Sequence, residues 1–203
     1  MGTEVSSTGR LLTLEGACGP ELKQTAARLL KALCGGEAGG GGSYWDASGI
    51  FSDLRLGDPN IPRPSPRTLL LLYSADLAFR LRWEIRPALD EGKCVIAAPY
   101  VQTAMAFGKA AGLPRPWLRE LFRLAPQPLT CYRIPETTPT GAPDGKPSDG
   151  FFEFCCAALQ NASQPCDPVE LHGRFRAYLD ALERRRRCET VTPQFLSASA
   201  GTA

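Results

Sequence analysis

Residues 15–25, EGACGPELKQT, carry most of the parts of a phosphate-binding loop: Gly16, Gly19, Lys23 and Thr25. In such a loop, spelled G-x-x-x-x-G-K-[ST], backbone N–H groups cradle phosphate oxygens. The lysine reaches the terminal phosphates and the hydroxyl holds magnesium. The chemistry would be phosphoryl-group binding or transfer, but the spacing departs from the motif. Lys23 follows Gly16 by seven positions rather than six, Leu22 stands in place of the second glycine, and Gln24 follows the lysine. Thr25 could take the magnesium only if the loop bulges by one residue. No Cys-x-x-Cys pair occurs and His172 is the single histidine, so no metal ligand set is predicted.

A phosphate loop must sit between a strand and a helix, and both flanks are predicted. LLTLE (11–15) is a short apolar run that reads as a buried strand. Pro20 suits a first helical position, and Leu22, Ala26, Leu29, Leu30 and Leu33 follow at helical spacing until Gly35 and Gly36. GGEAGGGGS (35–43) reads as a flexible loop and DPNIPRPSP (58–66) as irregular chain. A helix over 67–90 is apolar around most of its circumference, which predicts burial on more than one side, with a kink at Pro87 and a stop at Gly92. KCVIAA (93–98) is a second strand, 101–111 and 115–123 are short helices, and PLTCYRI (128–134) is a third strand. The loop 135–150 is rich in proline, glycine and threonine, and FEFCCAALQ (152–160) reads as a fourth strand. Asp167, Pro168 and Glu170 form a helix start, with Val169, His172, Phe175, Leu179 and Leu182 as its apolar face. Strands apolar throughout, alternating with helices, predict a parallel sheet covered on both faces.

The 203 residues, 43% hydrophobic with a net charge of +2, suit one domain over 10–188, with 1–9 and 189–203 as disordered tails. The near balance of charge gives no global reason to bind nucleic acid or an acidic membrane. The Arg184–Arg187 run ends a predicted helix, where cations complement the dipole. Of the eight cysteines, Cys94 and Cys131 lie in apolar runs where the thiol acts as a small hydrophobe. With no basic segment leading an apolar run near the N-terminus, and no apolar run of about eighteen residues, the expectation is an intracellular, cytoplasmic protein with reduced thiols, an organelle being left open.

This order of segments resembles thymidylate kinase, a P-loop nucleoside monophosphate kinase, from about residue 11 to 182. LLLLYSADLAFRLRWEIRPALDEGKCVIAAPY (69–100) carries the most specific likeness: helix, Arg-Pro-Ala-Leu, glycine, strand and closing tyrosine fall in register. LLTLEG, PLTCYRIPE and NASQPCDPVELHGRF resemble the first strand, a later strand and the last helix of that family. The resemblance implies a three-layer α/β P-loop fold with a reduced lid, and ATP with magnesium phosphorylating dTMP. It implies a phosphate-loop remnant of Gly16, Gly19, Lys23, Gln24 and Thr25, and nucleotide contacts from Tyr73, Asp46, Arg80 and Tyr100. Tyr73 matches an aromatic that stacks on thymine, although TLLLLY also reads as a core helix. Asp76 and Arg80, at i and i+4, read as an ordinary helix ion pair.

The departures from the family all remove charge or its access. Ala98 and Pro99 replace the aspartate and arginine of Asp-Arg-Tyr, Leu77 replaces a base-binding arginine, and 135–150 offers only Lys146 in place of lid arginines. One such arginine is worth ~10³–10⁵ in rate. The expectation is therefore a pseudoenzyme with no intact catalytic residue, acting as scaffold, regulator or assembly subunit. The alternative is a divergent kinase with an altered loop. Nucleotide binding is expected to be weak or lost, in a crevice bounded by Gly16 to Lys23, Tyr73 and Ala98 to Tyr100. A homodimer, as in the family, or a protein partner stays open, and no membrane or nucleic-acid binding is expected.

Overall fold

The computed structural model describes residues 9–35, 39–54, 63–135, 150–160, 167–185 and 187–191. Lys146, residues 161–166 including Cys166, most of the 58–66 segment and the outermost tails lie outside them. Among the described residues five strands form one parallel sheet: β1 (Arg10–Glu15), β2 (Gly40–Tyr44), β3 (Cys94–Ala98), β4 (Thr130–Arg133) and β5 (Glu189–Thr190), in the order β2-β3-β1-β4-β5. The described residues also form seven α-helices: α1 (Gly19–Cys34), α2 (Pro66–Arg80), α3 (Arg86–Asp90), α4 (Val101–Ala110), α5 (Arg115–Leu121), α6 (Phe151–Gln160) and α7 (Pro168–Arg184).

β1 is central, as an apolar strand buried on both faces must be. Its even-numbered Leu12 and Leu14 pack with Leu22, Ala26 and Leu29 of α1, while Leu11 joins a larger core with α2, α4, α6 and α7. Between α2 and α3 the helix widens into a π-helical turn, Leu81–Ile85, where Arg86 N–H reaches back to Leu81 O. Pro87 follows directly and cannot donate, so the widened turn is where the expected kink is absorbed. The long helix is not enclosed, however: Leu71, Phe79 and Trp83 stay exposed along one side.

Four expectations are corrected. The glycine run was expected to be a loop, yet Gly40–Tyr44 is the β2 edge strand. Its glycines permit the approach, since a Cβ on Gly40 would lie 2.1 Å from Cys94 O. FEFCCAALQ is helix α6, not a strand. Phe151, Phe154, Cys155, Ala158 and Leu159 are buried at helical spacing, a period that a short apolar run conceals. Residues 189–190 were assigned to a disordered tail but pair with Tyr132 and Arg133 as β5, and Val191 N–H continues the pairing to Arg133 O at 2.9 Å. Finally, Cys34 is bonded to Cys94 and Cys131 to Cys188, where reduced thiols were expected. These partners are 60 and 57 positions apart in the chain, a pairing that spacing alone does not reveal.

Candidate functional site

The turn from β1 into α1 is built as strand, glycine loop and helix, but one of its donors is already engaged. Gly16 N–H donates to Thr103 Oγ1 at 3.2 Å. Gly19 is buried as the first residue of α1, and Cys18 before it supplies no side-chain cap. Lys23 and Gln24 lie on the exposed side of α1, while Thr25 is buried on the helix side that carries Leu22, Ala26 and Leu29. Thr25 thus belongs to the packed side of the helix.

A second chain segment seats on this turn. A Cβ on Gly150 would lie 2.7 Å from Gly19 N and 2.8 Å from Ala17 O, so the backbone ahead of α6 rests directly on the loop remnant. The next residue, Phe151, is fully buried. Its ring centroid is 4.4 Å from that of Tyr73, 5.6 Å from Phe107 and 5.9 Å from Phe51. The face of Tyr73 on which a flat ligand could stack is therefore covered by the chain itself. The crevice expected between Gly16 to Lys23, Tyr73 and Ala98 to Tyr100 is packed shut at its Tyr73 wall. Sequence reasoning missed Phe151 because its helix was read as a strand.

Beneath this aromatic layer lies a buried polar network. Tyr73 Oη donates to Pro99 O at 3.1 Å and Tyr100 O at 2.9 Å. Arg80 donates from Nη1 to Pro99 O at 3.0 Å and from Nη2 to Tyr73 Oη at 3.2 Å, and its Nε lies 3.1 Å from Asp76 Oδ2. Asp76 also accepts from Ser48 N–H, Ser48 Oγ and Asp46 N–H. The Asp76–Arg80 ion pair is present as expected, but neither side chain is exposed, so it is a buried junction between α2, the 46–52 turn and the end of β3. Asp46, at φ 61°, closes that turn by accepting from Phe51 and Ser52 N–H. Burial pushes the Tyr73 and Tyr100 phenols well above their ordinary range, against the nearby Arg80 charge. Tyr100 Oη donates to Pro126 O at 3.0 Å. Tyr73, Arg80, Asp46 and Tyr100 are brought together here, with their polar groups spent on the protein.

Glu15 is the functional-type residue that the motif reading passed over; a carboxylate closing an apolar strand was its signal. Its Oε2 accepts from Tyr100 N–H, Thr103 N–H and Thr103 Oγ1 at 2.7–3.1 Å, and Oε1 accepts from Gln102 N–H at 3.3 Å. The carboxylate so caps the first turn of α4, where negative charge is favoured. Burial nevertheless pushes its pKa up to about 7, outweighing the lowering from those hydrogen bonds. Glu15 and Thr13 border a cavity of about 480 Å³ that runs past Gln102, Phe122, Pro128 and Arg187.

A site for magnesium–ATP would need loop N–H groups free to meet phosphate, a hydroxyl beside the lysine and an acid at the end of β3. Among the described residues the loop is covered by Gly150, Thr25 is turned into the packing, and β3 ends in Ala98. The residues present do not fit that group. No cluster of three or more histidine, cysteine, aspartate or glutamate side chains suited to a metal occurs among the described residues, and no helix there is long and apolar enough to cross a membrane.

The parallel sheet, the glycine turn into α1 and the flanking helices define a P-loop α/β protein. No family model matches the chain. It is similar to the thymidylate kinase of Synechococcus sp. (strain CC9311), 35% identical over 134 residues that cover 60% of this chain and 62% of that one. Shorter matches are to the thymidylate kinase of Thermomicrobium roseum, 43% identical over 30% of this chain and 29% of that one, and to a probable thymidylate kinase of Pyrococcus abyssi, 40% identical over 29% and 28%. The matches thus cover less than two thirds of these relatives' lengths. In fold, the chain is similar to the crystal structure of thymidylate kinase from Ehrlichia chaffeensis, with a TM-score of 0.63 at 15% identity over 91% of this chain and 87% of that one. These similarities support a family relationship between this chain and the thymidylate kinases.

Proposed function

We propose that this protein keeps the thymidylate-kinase fold without its phosphoryl transfer, and serves as a scaffold, regulator or subunit of an assembly. The observation that carries this reading is the seating of Gly150 on Ala17 and Gly19 with Phe151 packed on Tyr73. Substrate for the family reaction would have to displace a fully buried aromatic side chain. The loss of charge supports the same reading. Phosphoryl transfer relies on cations and a metal placed around the moving group. Here Ala98, Pro99 and Leu77 stand where the resemblance calls for one acid and two arginines, and Arg80 is committed to Asp76 and Pro99. All three replacements are buried: Ala98 ends β3, Leu77 lies in α2, and Pro99 sits in the turn between β3 and α4.

A coupled assay with ATP, magnesium and dTMP tests the proposal. The expected result is no ADP formation above background. Turnover at an ordinary kinase rate, abolished by Lys23→Ala, would instead establish a divergent kinase working through an altered loop.

A further inference from the structure

Six large apolar side chains stay exposed among the described residues, and three of them lie on one helical run. These are Leu71, Phe79 and Trp83, on α2 and the π-helical turn that continues it. Ala75 and Ala78 are exposed between them. Leu71, Ala75, Phe79 and Trp83 follow at four-residue steps and so form one row along the helix. The row is about 18 Å long at 1.5 Å per residue. On the opposite side Leu69, Leu70, Tyr73 and Leu77 are fully buried in the core. The helix is thus apolar on two sides, and the described chain covers one of them. A contiguous apolar face left open marks an interaction surface.

Shape and charge narrow what covers it. The two alanines make a low step between Leu71 and the larger Phe79 and Trp83, where a second helix can lay a ridge of its own side chains. The exposed charges around the row carry one sign. Arg82 and Arg86 are exposed beside Trp83, with the Arg82 guanidinium 5.1 Å from the Trp83 ring centroid, and Arg67 is exposed four residues before Leu71. Within residues 66–89 both carboxylates are withdrawn. Asp76 is buried against Arg80, and Glu84 is partly buried and accepts from Ser43 Oγ at 2.7 Å. A second copy of this chain is therefore a poor match. Paired antiparallel about the middle of the row, it sets Arg67 against Arg86; paired parallel, it sets each arginine against its own copy. Like charges brought together in this way disfavour a partner. An anionic lipid surface matches the charge but not the low step, since insertion draws on the apolar area of large side chains.

We propose that the row from Leu71 to Trp83 docks an acidic amphipathic helix of another protein. Apolar side chains of that helix pack over Ala75 and Ala78, between Leu71 and Phe79, and its carboxylates meet Arg67, Arg82 and Arg86 at the rim. This names the partner chemistry for the assembly-subunit reading on which it rests. The two fail separately, because turnover and binding at α2 are read by different assays.

Titration of the full chain with synthetic peptides, followed by calorimetry and tryptophan fluorescence, tests the proposal. The probe is a helical peptide of about four turns with leucines along one face and glutamates flanking them. Its counterpart carries lysine in place of each glutamate. The acidic peptide should bind saturably, at least about tenfold more tightly than the lysine peptide, and shift emission to the blue as Trp83 leaves water. Phe79→Ser and Trp83→Ser should each weaken it by about tenfold or more. The double variant Arg82→Glu with Arg86→Glu should reverse the preference between the two peptides. Leu129→Ser, at an exposed apolar position outside the row, should leave binding unchanged. All these positions are exposed, so each variant should keep the parent's melting temperature. Absence of saturable binding by the acidic peptide overturns the proposal. Equal binding of the two peptides does so too, by leaving an unselective apolar patch. A dimer in sedimentation velocity that Trp83→Ser dissolves would give the row to a second copy instead. Binding to phosphatidylglycerol vesicles that Trp83→Ser abolishes, with no peptide bound, would give it to a lipid surface.

Discussion

Around Tyr73 the polar atoms are buried and mostly bonded to one another: one arginine, one aspartate and two backbone carbonyls under an aromatic cover from Phe151. Around Tyr178 the arrangement is more open: its hydroxyl reaches Gln102, which lines a cavity together with the exposed Arg187. Both regions carry a tyrosine near guanidinium charge, yet the second borders a cavity whereas the first is packed under Phe151. An arginine's type says little about its role until its partners are counted. Arg80 holds the fold together where the resemblance would have it meet nucleotide, and Arg187 lies beyond the segments that carry the resemblance.

The largest effects should come from breaking the Tyr73 side. Arg80→Met leaves Asp76 buried without its ion-pair partner, and should lower stability by about 3–5 kcal/mol in urea titration. Arg187→Ala, on the open side, should stay within about 0.5 kcal/mol of the parent. If the two variants proved equally mild, the contrast between the regions would fail. Phe151→Ala should cost about 3–5 kcal/mol as well, by emptying space against Tyr73, Phe107 and Phe51. Thermal unfolding of that variant with and without thymidine then sharpens the comparison. A rise in melting temperature with thymidine, absent in the parent, is expected where the uncovered ring becomes free to stack.

Glu15 gives the next effect, and its sign follows from burial. Its folded pKa of about 7 lies above the ordinary 4.5, so the native protein holds a proton that the unfolded chain releases. The group's contribution is therefore fully present below about pH 4.5 and is lost as pH rises to 7, an amount on the order of 3 kcal/mol. Glu15→Gln should flatten this slope and stabilise the protein above pH 7. An amide oxygen can keep the three bonds to Oε2, losing only the longer one from Gln102. Denaturation midpoints between pH 5 and 8 for both proteins decide the matter, and parallel profiles would show that Glu15 does not titrate in that range. A smaller loss than at Arg80 or Phe151 is expected at Gly150. There Ala must push against backbone atoms of Gly19 and Ala17, which should cost roughly 1–3 kcal/mol by the same urea titration.

Much of the scaffold was legible because local signals agreed with their surroundings. The apolar runs at β1 and β3, the Pro20 helix start and the Asp167 cap all appear where the residue types place them. What escaped depended on neighbours far along the chain. A glycine run looks like a loop until Cys94 is found where a Cβ would have to be. Phe151 reads as part of any apolar segment, and its seat on Tyr73 joins residues 78 positions apart. The Asp76–Arg80 pair was visible as a spacing, whereas its burial required Ser48 and Pro99 to close over it. Of the site, the losses at Ala98 and Pro99 were plain in the sequence, and the plug that covers the remnant was not.

The central claim is that the chain's own Phe151 occupies the place where the family reaction would need its acceptor. Calorimetric titration of the full chain with dTMP in the presence of magnesium and ATP, repeated on Tyr73→Ala and Arg187→Ala, tests it most directly. The account predicts no saturable heat that depends on Tyr73. Micromolar binding that Tyr73→Ala abolishes and Arg187→Ala leaves intact would contradict the account.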